Sequence, residues 1–350
     1  MFKFLNTLNK TAFIKASVAA ILAIILVFIG SRDLQNFDPA LIGYLMGTIF
    51  AVFGIAYRYS VWLQRPPTRL YWRRSWQFLL SKDFVKYATR SIGLFFKNIL
   101  FQRFIYPRGK ARWWGHFMLA TGCLIAFAVT IPLTFGWIHF TLQPGATVYT
   151  ANFFGFPVGQ FDLGSPIAFM TFHALVWCSV LVTIGAAIML KRRLTNGGLI
   201  ATQTFEGDWL PLILLIAISL TGLGITYDYT FLEGRTNQFM SVIHAVTVIL
   251  FLIWMPFGKF FHIFQRLAQV GANIYIVEGK RRGMAKCPHT GEEFASKTHV
   301  EDLKKVTKEL GFDFSLENGQ NHLDYSPEGK RSALAKAHFQ ARKESGKFFG

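Results

Sequence analysis

The sequence predicts an all-α membrane protein, a six-helix transmembrane bundle with an amphipathic cytoplasmic loop and a cytoplasmic C-terminal tail. Its composition is the first indication, since 52% of the 350 residues are hydrophobic, only 16% are charged and 37 are Phe. A soluble domain is rarely so apolar and aromatic. Six apolar runs are each long enough to cross the hydrocarbon core, which takes about 20 residues. Lys and Arg are concentrated in alternate connections between those runs.

The six apolar runs divide the chain into spans. They cover residues 13–30, 39–57, 113–138, 166–190, 209–227 and 238–262. The first run has three lysines before or near its start, Lys3, Lys10 and Lys15, as in a signal peptide, but its apolar part is long. Its exit sequence at 30–33 (GSRD) contains no small-x-small cleavage site. We therefore predict an uncleaved, extra N-terminal transmembrane helix within residues 1–38.

The basic residues predict the orientation of the bundle. The connections at 58–112 and 191–208 are rich in Lys and Arg, as is the segment after the sixth span, whereas those near 31–38, 139–165 and 228–237 have almost none. Positively charged loops stay in the cytoplasm. We therefore expect a multi-pass protein of the bacterial inner membrane with both termini cytoplasmic.

The formal net charge of +18 follows largely from these loops. Basic residues beside membrane spans indicate contact with anionic lipid. Because the charge is spread around helix ends, it speaks against nucleic acid as a partner. An acidic protein partner at the same face stays open.

Five histidines lie in or at the spans: His116, His139, His173, His244 and His262. An ionisable residue inside a membrane is a candidate functional residue. The topology places His116 and His262 toward the cytoplasm, and His173 and His244 toward the outside. His244 and His262 are 18 residues apart, which is about five helical turns, or roughly 27 Å, along one face of a helix. We therefore predict two bis-histidine haem b sites, His116 with His262 and His173 with His244, each a six-coordinate electron carrier.

Single histidines in membrane spans also have roles other than haem ligation. A histidine within a span can also donate a hydrogen bond between helices. His139 follows Trp137 at the outer end of the third span, where it fits an interfacial residue, a quinone contact, or the outer haem ligand in place of His173. The pairing of four histidines by depth favours haem ligation for those four.

Three segments carry a resemblance to a known family. The first segment, residues 244–263, contains His244 and His262 with Pro256, Phe257 and Lys259 between them. The other two segments are the turn at 190–208 and the pair His116-Phe117. Together they resemble the cytochrome b (gamma) subunit family of membrane-bound respiratory nitrate reductases and related di-haem quinol-oxidising subunits. The resemblance covers roughly residues 40–265.

This resemblance implies a five-helix di-haem cytochrome b core within 39–265. It implies that His116, His244 and His262 are haem ligands. Nitrate reductase members of the family carry a further histidine ten residues after the first on that helix, where this chain has Ala126. His173 is therefore assigned as the outer ligand by depth and not by the motif.

The resemblance also implies that a quinol is oxidised, or a quinone reduced, near the outer face. Candidate quinone contacts there are His139, Tyr227 and Asp228.

Two polar regions lie outside the spans. The loop at 58–112 mixes aromatic with basic residues, which indicates helices lying on the inner membrane surface or a docking surface for a partner. The tail at 266–350 contains a capping box at Thr298-x-x-Glu301 and a helix start at Ser326-Pro327. Because the tail has few large apolar side chains, we expect an arm that orders on a partner subunit.

The expected function is electron transfer in a respiratory oxidoreductase complex. Electrons would pass between the quinone/quinol pool and a redox partner at the cytoplasmic face, an iron–sulfur or catalytic subunit. No molybdenum, flavin or iron–sulfur motif occurs in the sequence, so catalysis is expected in other subunits. The alternatives are a haem-free proton-coupled transporter that uses the histidines as a relay, and a purely structural membrane anchor.

Overall fold

The computed structural model describes residues 9–316 and 319–346, and these are mostly helical. Six helices are long and apolar enough to cross a membrane, which is consistent with an all-α, multi-pass membrane protein. The six predicted spans are therefore confirmed as apolar helices. Their bounds are Lys10–Gly30, Pro39–Gln64, Lys110–Thr134, Ala174–Thr195, Phe205–Phe231 and Asn237–Trp254.

The secondary structure runs as follows. The helices are α1 (Lys10–Gly30), α2 (Ile42–Gln64), α3 (Pro66–Leu79), α4 (Phe84–Leu94), α5 (Lys110–Thr134), α6 (Pro166–Phe172), α7 (Ala174–Thr195), α8 (Gly197–Ile200), α9 (Leu210–Phe231), α10 (Asn237–Trp254), α11 (His262–Arg281), α12 (Lys297–Glu309) and α13 (Pro327–Glu344). The strands are β1 (Ile138–Leu142), β2 (Val148–Phe153), β3 (Phe156–Asp162), β4 (Met284–Lys286) and β5 (Glu293–Ser296). Short 3-10 or π-helical segments lie at Pro39–Leu41, Phe95–Leu100, Tyr106–Arg108, Phe205–Trp209, Lys259–Phe261 and His322–Asp324.

The chain divides into two compact units. The first, here called the membrane unit, comprises the chain up to Val61 together with Phe96–Gln265. The second, the polar unit, combines Trp62–Phe95 with the chain from Arg266 onward. The sequence grouped 62–95 with the membrane domain and treated the tail as separate, so the division differs from those boundaries.

Small residues let the helices of the membrane unit approach closely. A Cβ atom added to Gly115 or Gly122 of α5 would lie 2.8 or 2.7 Å from a methyl group of Ile188 or Val182 on α7. Helices in a membrane associate by such close packing, because lipid provides no hydrophobic driving force between them. In α1 the alanines at 12, 16 and 20 are buried in the same way.

The pairing of α2 with α10 fixes their relative direction. Along α2, Gly43 faces Ile249, Gly47 faces Leu252, and Gly54 faces Pro256 just beyond α10. Both series of residue numbers rise together, so the two helices run in the same direction. The topology predicted this for the second and sixth spans.

A small antiparallel sheet occupies the connection that was expected to be a loop at 139–165. Strand β2 pairs with both β1 and β3. Its strands are rich in Thr, Val, Tyr and Phe, which favour extended backbone. Phe154 and Gly155 link β2 to β3 with φ angles of 51° and 76°, as a two-residue hairpin turn of type I′ requires.

Two predicted spans are shorter than the apolar pattern suggested. The sixth was expected to continue as one helix to His262, but α10 ends at Trp254 and His262 begins α11. Pro256 explains the break, because proline has no N–H to donate within a helix. The fourth span is divided at His173, where φ is −100° and ψ is 5°. The prediction that His244 and His262 lie on one helix face is therefore wrong.

The polar unit has a hydrophobic core of its own. Phe78 of α3 and Tyr87 of α4 pack with Ile274 and Tyr275 of α11. The composition of the tail predicts too few apolar side chains for a core of its own, and in the structure α3 and α4 supply Phe78 and Tyr87 to the core. The expectation that the tail orders on a partner subunit stays a prediction.

Buried ion pairs join the same segments. Arg74 of α3 donates two hydrogen bonds to the Asp302 carboxylate on α12, at 3.1 and 2.8 Å. Glu278 is buried and accepts hydrogen bonds from Tyr87, Arg281 and Arg282. Burial raises the pKa of Glu278, but the hydrogen bonds from Arg281 and Tyr87 outweigh that effect and lower the pKa to about 2. The carboxylate is thus held in its charged form.

Candidate functional site

Two of the predicted site residues, His116 and His262, lie close together within the membrane unit. His116 lies near the start of α5, and His262 is the first residue of α11, directly after the 3-10 turn Lys259–Phe261. Their ring centroids are 6.5 Å apart and their planes are inclined at 68°. Residues 146 positions apart in the sequence are thereby brought to one place.

Each of these rings is oriented by an acceptor at its Nδ1 atom. His116 Nδ1 lies 2.5 Å from Gln102 Oε1, and His262 Nδ1 lies 2.5 Å from the Lys259 carbonyl oxygen. A carbonyl or amide oxygen only accepts hydrogen bonds, so both Nδ1 atoms carry the proton. A histidine whose Nδ1 donates to an outer partner in this way ligates a metal through Nε2.

The separation of the rings fits one iron atom held between them. A metal–imidazole bond is about 2 Å long and the ring centre lies about 1.2 Å beyond the nitrogen, so two opposed ligands place their centroids roughly 6–6.5 Å apart. The observed 6.5 Å agrees with that value. Two neutral imidazoles on opposite sides of the iron are the ligand set of a six-coordinate haem. The side chains present are therefore of the type that would hold haem iron, and their centroid separation matches such a site.

Gln102 is a site residue that the sequence reasoning missed. Its side chain is buried, with 4% of the residue exposed, and its φ of 50° is rare for a residue other than glycine. Such backbone outliers concentrate at functional sites. Gln102 lies in a connection outside every span and motif, so nothing in the sequence singled it out.

The second predicted pair is not brought together in the same way. The His173 ring stacks on Phe169 with centroids 4.3 Å apart, and its Nδ1 lies 2.9 Å from the Phe169 carbonyl oxygen. His244 Nδ1 lies 2.9 Å from Thr221 Oγ1 on α9. Among residues 9–316 and 319–346, no ring contact joins His173 to His244. Their assignment to an outer haem stays a prediction.

The predicted quinone contacts lie at the other end of the membrane unit. His139 is in β1, with Nδ1 3.4 Å from the Gly136 carbonyl oxygen, and the Tyr227 side chain is half exposed. Asp228 is fully buried, and its Oδ1 accepts hydrogen bonds from Thr236 N at 2.9 Å and Thr236 Oγ1 at 2.6 Å. Asp228 therefore holds the turn between α9 and α10.

An ion cluster supports the backbone next to His262. Asp208 accepts a hydrogen bond from Arg193 at 2.7 Å and pairs with Lys259, whose carbonyl oxygen orients His262. Arg58 Nη1 donates to the carbonyl oxygens of the turn at 256–258, at 2.6, 2.7 and 3.2 Å. Basic side chains often bind the last carbonyl groups of a helix in this way. Both contacts fix the turn that presents His262.

A cavity of about 830 Å³ opens beside His262. It was not predicted, because its walls come from three separate stretches of sequence. The lining residues are Arg58, Thr204, Phe205, Glu206, Gly207, Trp254, Phe257, Gly258, Lys259, Phe261, His262 and Gln265.

Comparison of the chain with models of protein families, with curated proteins and with solved structures finds no significant match. Within the part of the chain that the structure describes, no group of three or more His, Cys, Asp or Glu side chains is placed to hold a metal ion. A haem iron with two histidine ligands does not require such a group.

Proposed function

We propose that the chain is the b-type cytochrome subunit of a respiratory oxidoreductase complex in the bacterial inner membrane. It would pass electrons between the quinone/quinol pool and a redox partner at the cytoplasmic face, an iron–sulfur or catalytic subunit. The single observation that carries this proposal is the proximity of His116 and His262, with ring centroids 6.5 Å apart.

The roles of the surrounding residues follow from their contacts. When bound, haem b supplies one-electron redox chemistry. His116 and His262 would hold the group through Nε2, and Gln102 and the Lys259 carbonyl oxygen would set the ring orientations. Acceptors at Nδ1 raise the basicity of a ligating imidazole and stabilise the oxidised metal. The Asp208–Lys259 pair keeps the presenting turn in place.

The wider parts of the proposal have separate support. Six apolar helices are consistent with residence in a membrane, and the distribution of Lys and Arg supports cytoplasmic termini. A second haem b between His173 and His244 is proposed from their depth in the bundle. Quinone as the electron donor or acceptor rests on the resemblance of residues 244–263 to the gamma-subunit family.

The test is haem content and a reduced-minus-oxidised spectrum of the purified protein and of two variants. His116→Ala and His262→Ala should each remove or convert one b-type haem. His289→Ala, in the polar unit, is the matched control and should keep the wild-type spectrum. A folded wild-type protein without haem would contradict the proposal and favour the proton-relay transporter.

A further inference from the structure

Helix α4 of the polar unit carries apolar side chains on two opposite faces. Tyr87 is buried in the core of that unit. Around the helix, Val85 lies about 200° and Ile92 about 140° from Tyr87. Both residues therefore point away from the core, and they are 73% and 58% exposed. Phe84, at the start of the helix, is exposed as well. The side chains of Phe84, Val85 and Ile92 are called the α4 surface below.

A helix that is apolar on both sides is typically covered on both sides. Within residues 9–316 and 319–346, only the core face of α4 is covered. The helix is also not one of the six that are long and apolar enough to cross a membrane. The α4 surface therefore calls for an apolar environment that this part of the chain does not provide.

The charges around the α4 surface are positive. Lys82 lies just before α4 and Lys86 within it, and both are exposed. Neither forms an ion pair within the residues that the structure describes. The segment 62–95 contains one acidic residue, Asp83, and it pairs with Arg281 at 2.8 Å. An anionic surface therefore matches the charge of this region.

The chain connects α4 to the end of a membrane span. The helix ends at Leu94, and the membrane unit resumes at Phe96. In that unit Trp113, in the first turn of α5, donates a hydrogen bond from Nε1 to the Phe101 carbonyl oxygen at 2.9 Å. The stretch from Leu94 to Phe101 reaches at most about 25 Å. Chain length alone therefore tethers α4 to the end of α5 that the basic residues assign to the cytoplasmic leaflet.

We propose that the α4 surface inserts into the cytoplasmic leaflet at anionic lipids, with Val85 and Ile92 among the upper acyl chains and Lys82 and Lys86 at the phosphate groups. Apolar side chains flanked by lysine and arginine are typical of helices that lie in the plane of a membrane. A lysine side chain can keep its methylene groups on apolar surface while its ammonium group reaches the headgroups.

A docked protein matches the α4 surface less well than lipid does, because lysine is depleted in protein interfaces. The lipid contact does not depend on haem or on a quinone, and it goes beyond the proposed electron transfer. It would hold the polar unit at the membrane surface through a helix that does not span the bilayer.

The test is electron paramagnetic resonance of the full chain in lipid nanodiscs of phosphatidylcholine mixed with phosphatidylglycerol. A nitroxide is attached at Val85→Cys or Ile92→Cys. The matched control is Leu334→Cys, at an exposed apolar residue of α13 in the same unit. Wild-type protein treated in the same way gives the contribution of the native cysteines. Accessibility to oxygen, which is enriched in lipid, is compared with accessibility to a water-soluble nickel chelate.

The ratio of oxygen to nickel accessibility should be severalfold higher at Val85→Cys and Ile92→Cys than at Leu334→Cys. Adding Lys82→Gln and Lys86→Gln to the Val85→Cys variant should lower the inserted fraction of the label. The expected loss in the insertion equilibrium is roughly fivefold for each lysine, the attraction of one cation to an anionic leaflet. Lys330→Gln with Lys336→Gln, on α13, is the charge-matched control and should leave insertion unchanged.

Three outcomes would overturn the proposal. Equal accessibility ratios at the three labelled positions would show that the α4 surface lies in water. Shielding of the label at Val85→Cys from both reagents would show that protein covers the surface in place of lipid. Insertion that is the same without Lys82 and Lys86 would refute the contact with anionic lipid. Haem content is read from the absorption spectrum of the same samples, so failure of the lipid contact and failure of the cytochrome proposal are distinguishable.

Discussion

Replacing Gln102 with leucine should weaken the proposed haem binding while keeping both His116 and His262. The substitution deletes the acceptor 2.5 Å from His116 Nδ1. Loss of such an outer partner typically lowers metal affinity about 10- to 100-fold, which corresponds to roughly 1.4–2.8 kcal/mol. Gln102 is only 4% exposed, so water cannot readily take its place. We therefore expect a value near the middle of that range, about 2 kcal/mol, or roughly thirtyfold.

The assay is haem transfer from the purified protein to an excess of a soluble apo-haem protein, followed by absorbance, together with redox titration of the inner haem. Gln102→Leu should release haem faster and raise the midpoint potential, because a less basic imidazole stabilises oxidised iron less. Gln143→Leu, at an exposed position in the sheet connection, is the matched control. Equal haem release and an unchanged potential in Gln102→Leu would refute the role of Gln102 as the orienting partner of His116.

Three further predictions concern stability. Asp208→Asn should lower the free energy of unfolding by about 2 kcal/mol, because the carboxylate is 14% exposed and pairs with Lys259. That value lies between those typical of exposed and of buried ion pairs. Thermal unfolding measures the change, and an unchanged midpoint temperature would contradict it. The folded-state pKa of Glu278, about 2, lies below its ordinary value of 4.5, so its stabilisation is present above about pH 4.5 and is lost as the pH falls toward 2. The protection factors of the α11 amides, which are exchange rates corrected for their intrinsic pH dependence, should fall over that window in the wild type, and a similar fall in Glu278→Gln would argue against Glu278 as the cause. Ile274 is 2% exposed, so Ile274→Ala should lower the free energy of unfolding of the polar unit by about 3 kcal/mol. Ile276 is 50% exposed, so Ile276→Ala should lower it by under about 1 kcal/mol. Equal losses of stability in the two variants would refute the assigned core.

The sequence predicts the spans well because hydropathy is a local property. A run of apolar residues such as α9 or α1 must be helical in lipid, where every backbone polar group has to be satisfied internally. The division of the chain into units depends instead on contacts between distant segments. The pairing of Tyr87 with Glu278 joins residues 191 positions apart, and no local pattern in either segment indicates the other. The same holds for Gln102, whose role depends on its position beside His116.

The proximity of His116 and His262 was predicted from topology, yet the spacing argument that accompanied it fails. That argument required one straight helix from His244 to His262, and Pro256 ends the helix before the second histidine. Topology still places His262 at the correct end of the bundle, because the short turn after α10 cannot move it far along the bundle axis. Arg58 and Asp208 then fix that turn so that the ring faces α5.

The proposed outer haem site therefore follows from depth in the bundle alone, whereas the proposed inner site also has the ring geometry of His116 and His262. Without a shared helix face, the position of His244 no longer follows from that of His262, and only the depth of His173 and His244 in the bundle favours their pairing. Haem stoichiometry separates the two sites. We expect two b-type haems per wild-type chain and one in His244→Ala. If the wild type holds one haem and His244→Ala keeps it, electron transfer is restricted to the His116–His262 site. The role of His244 is then structural, through its hydrogen bond with Thr221.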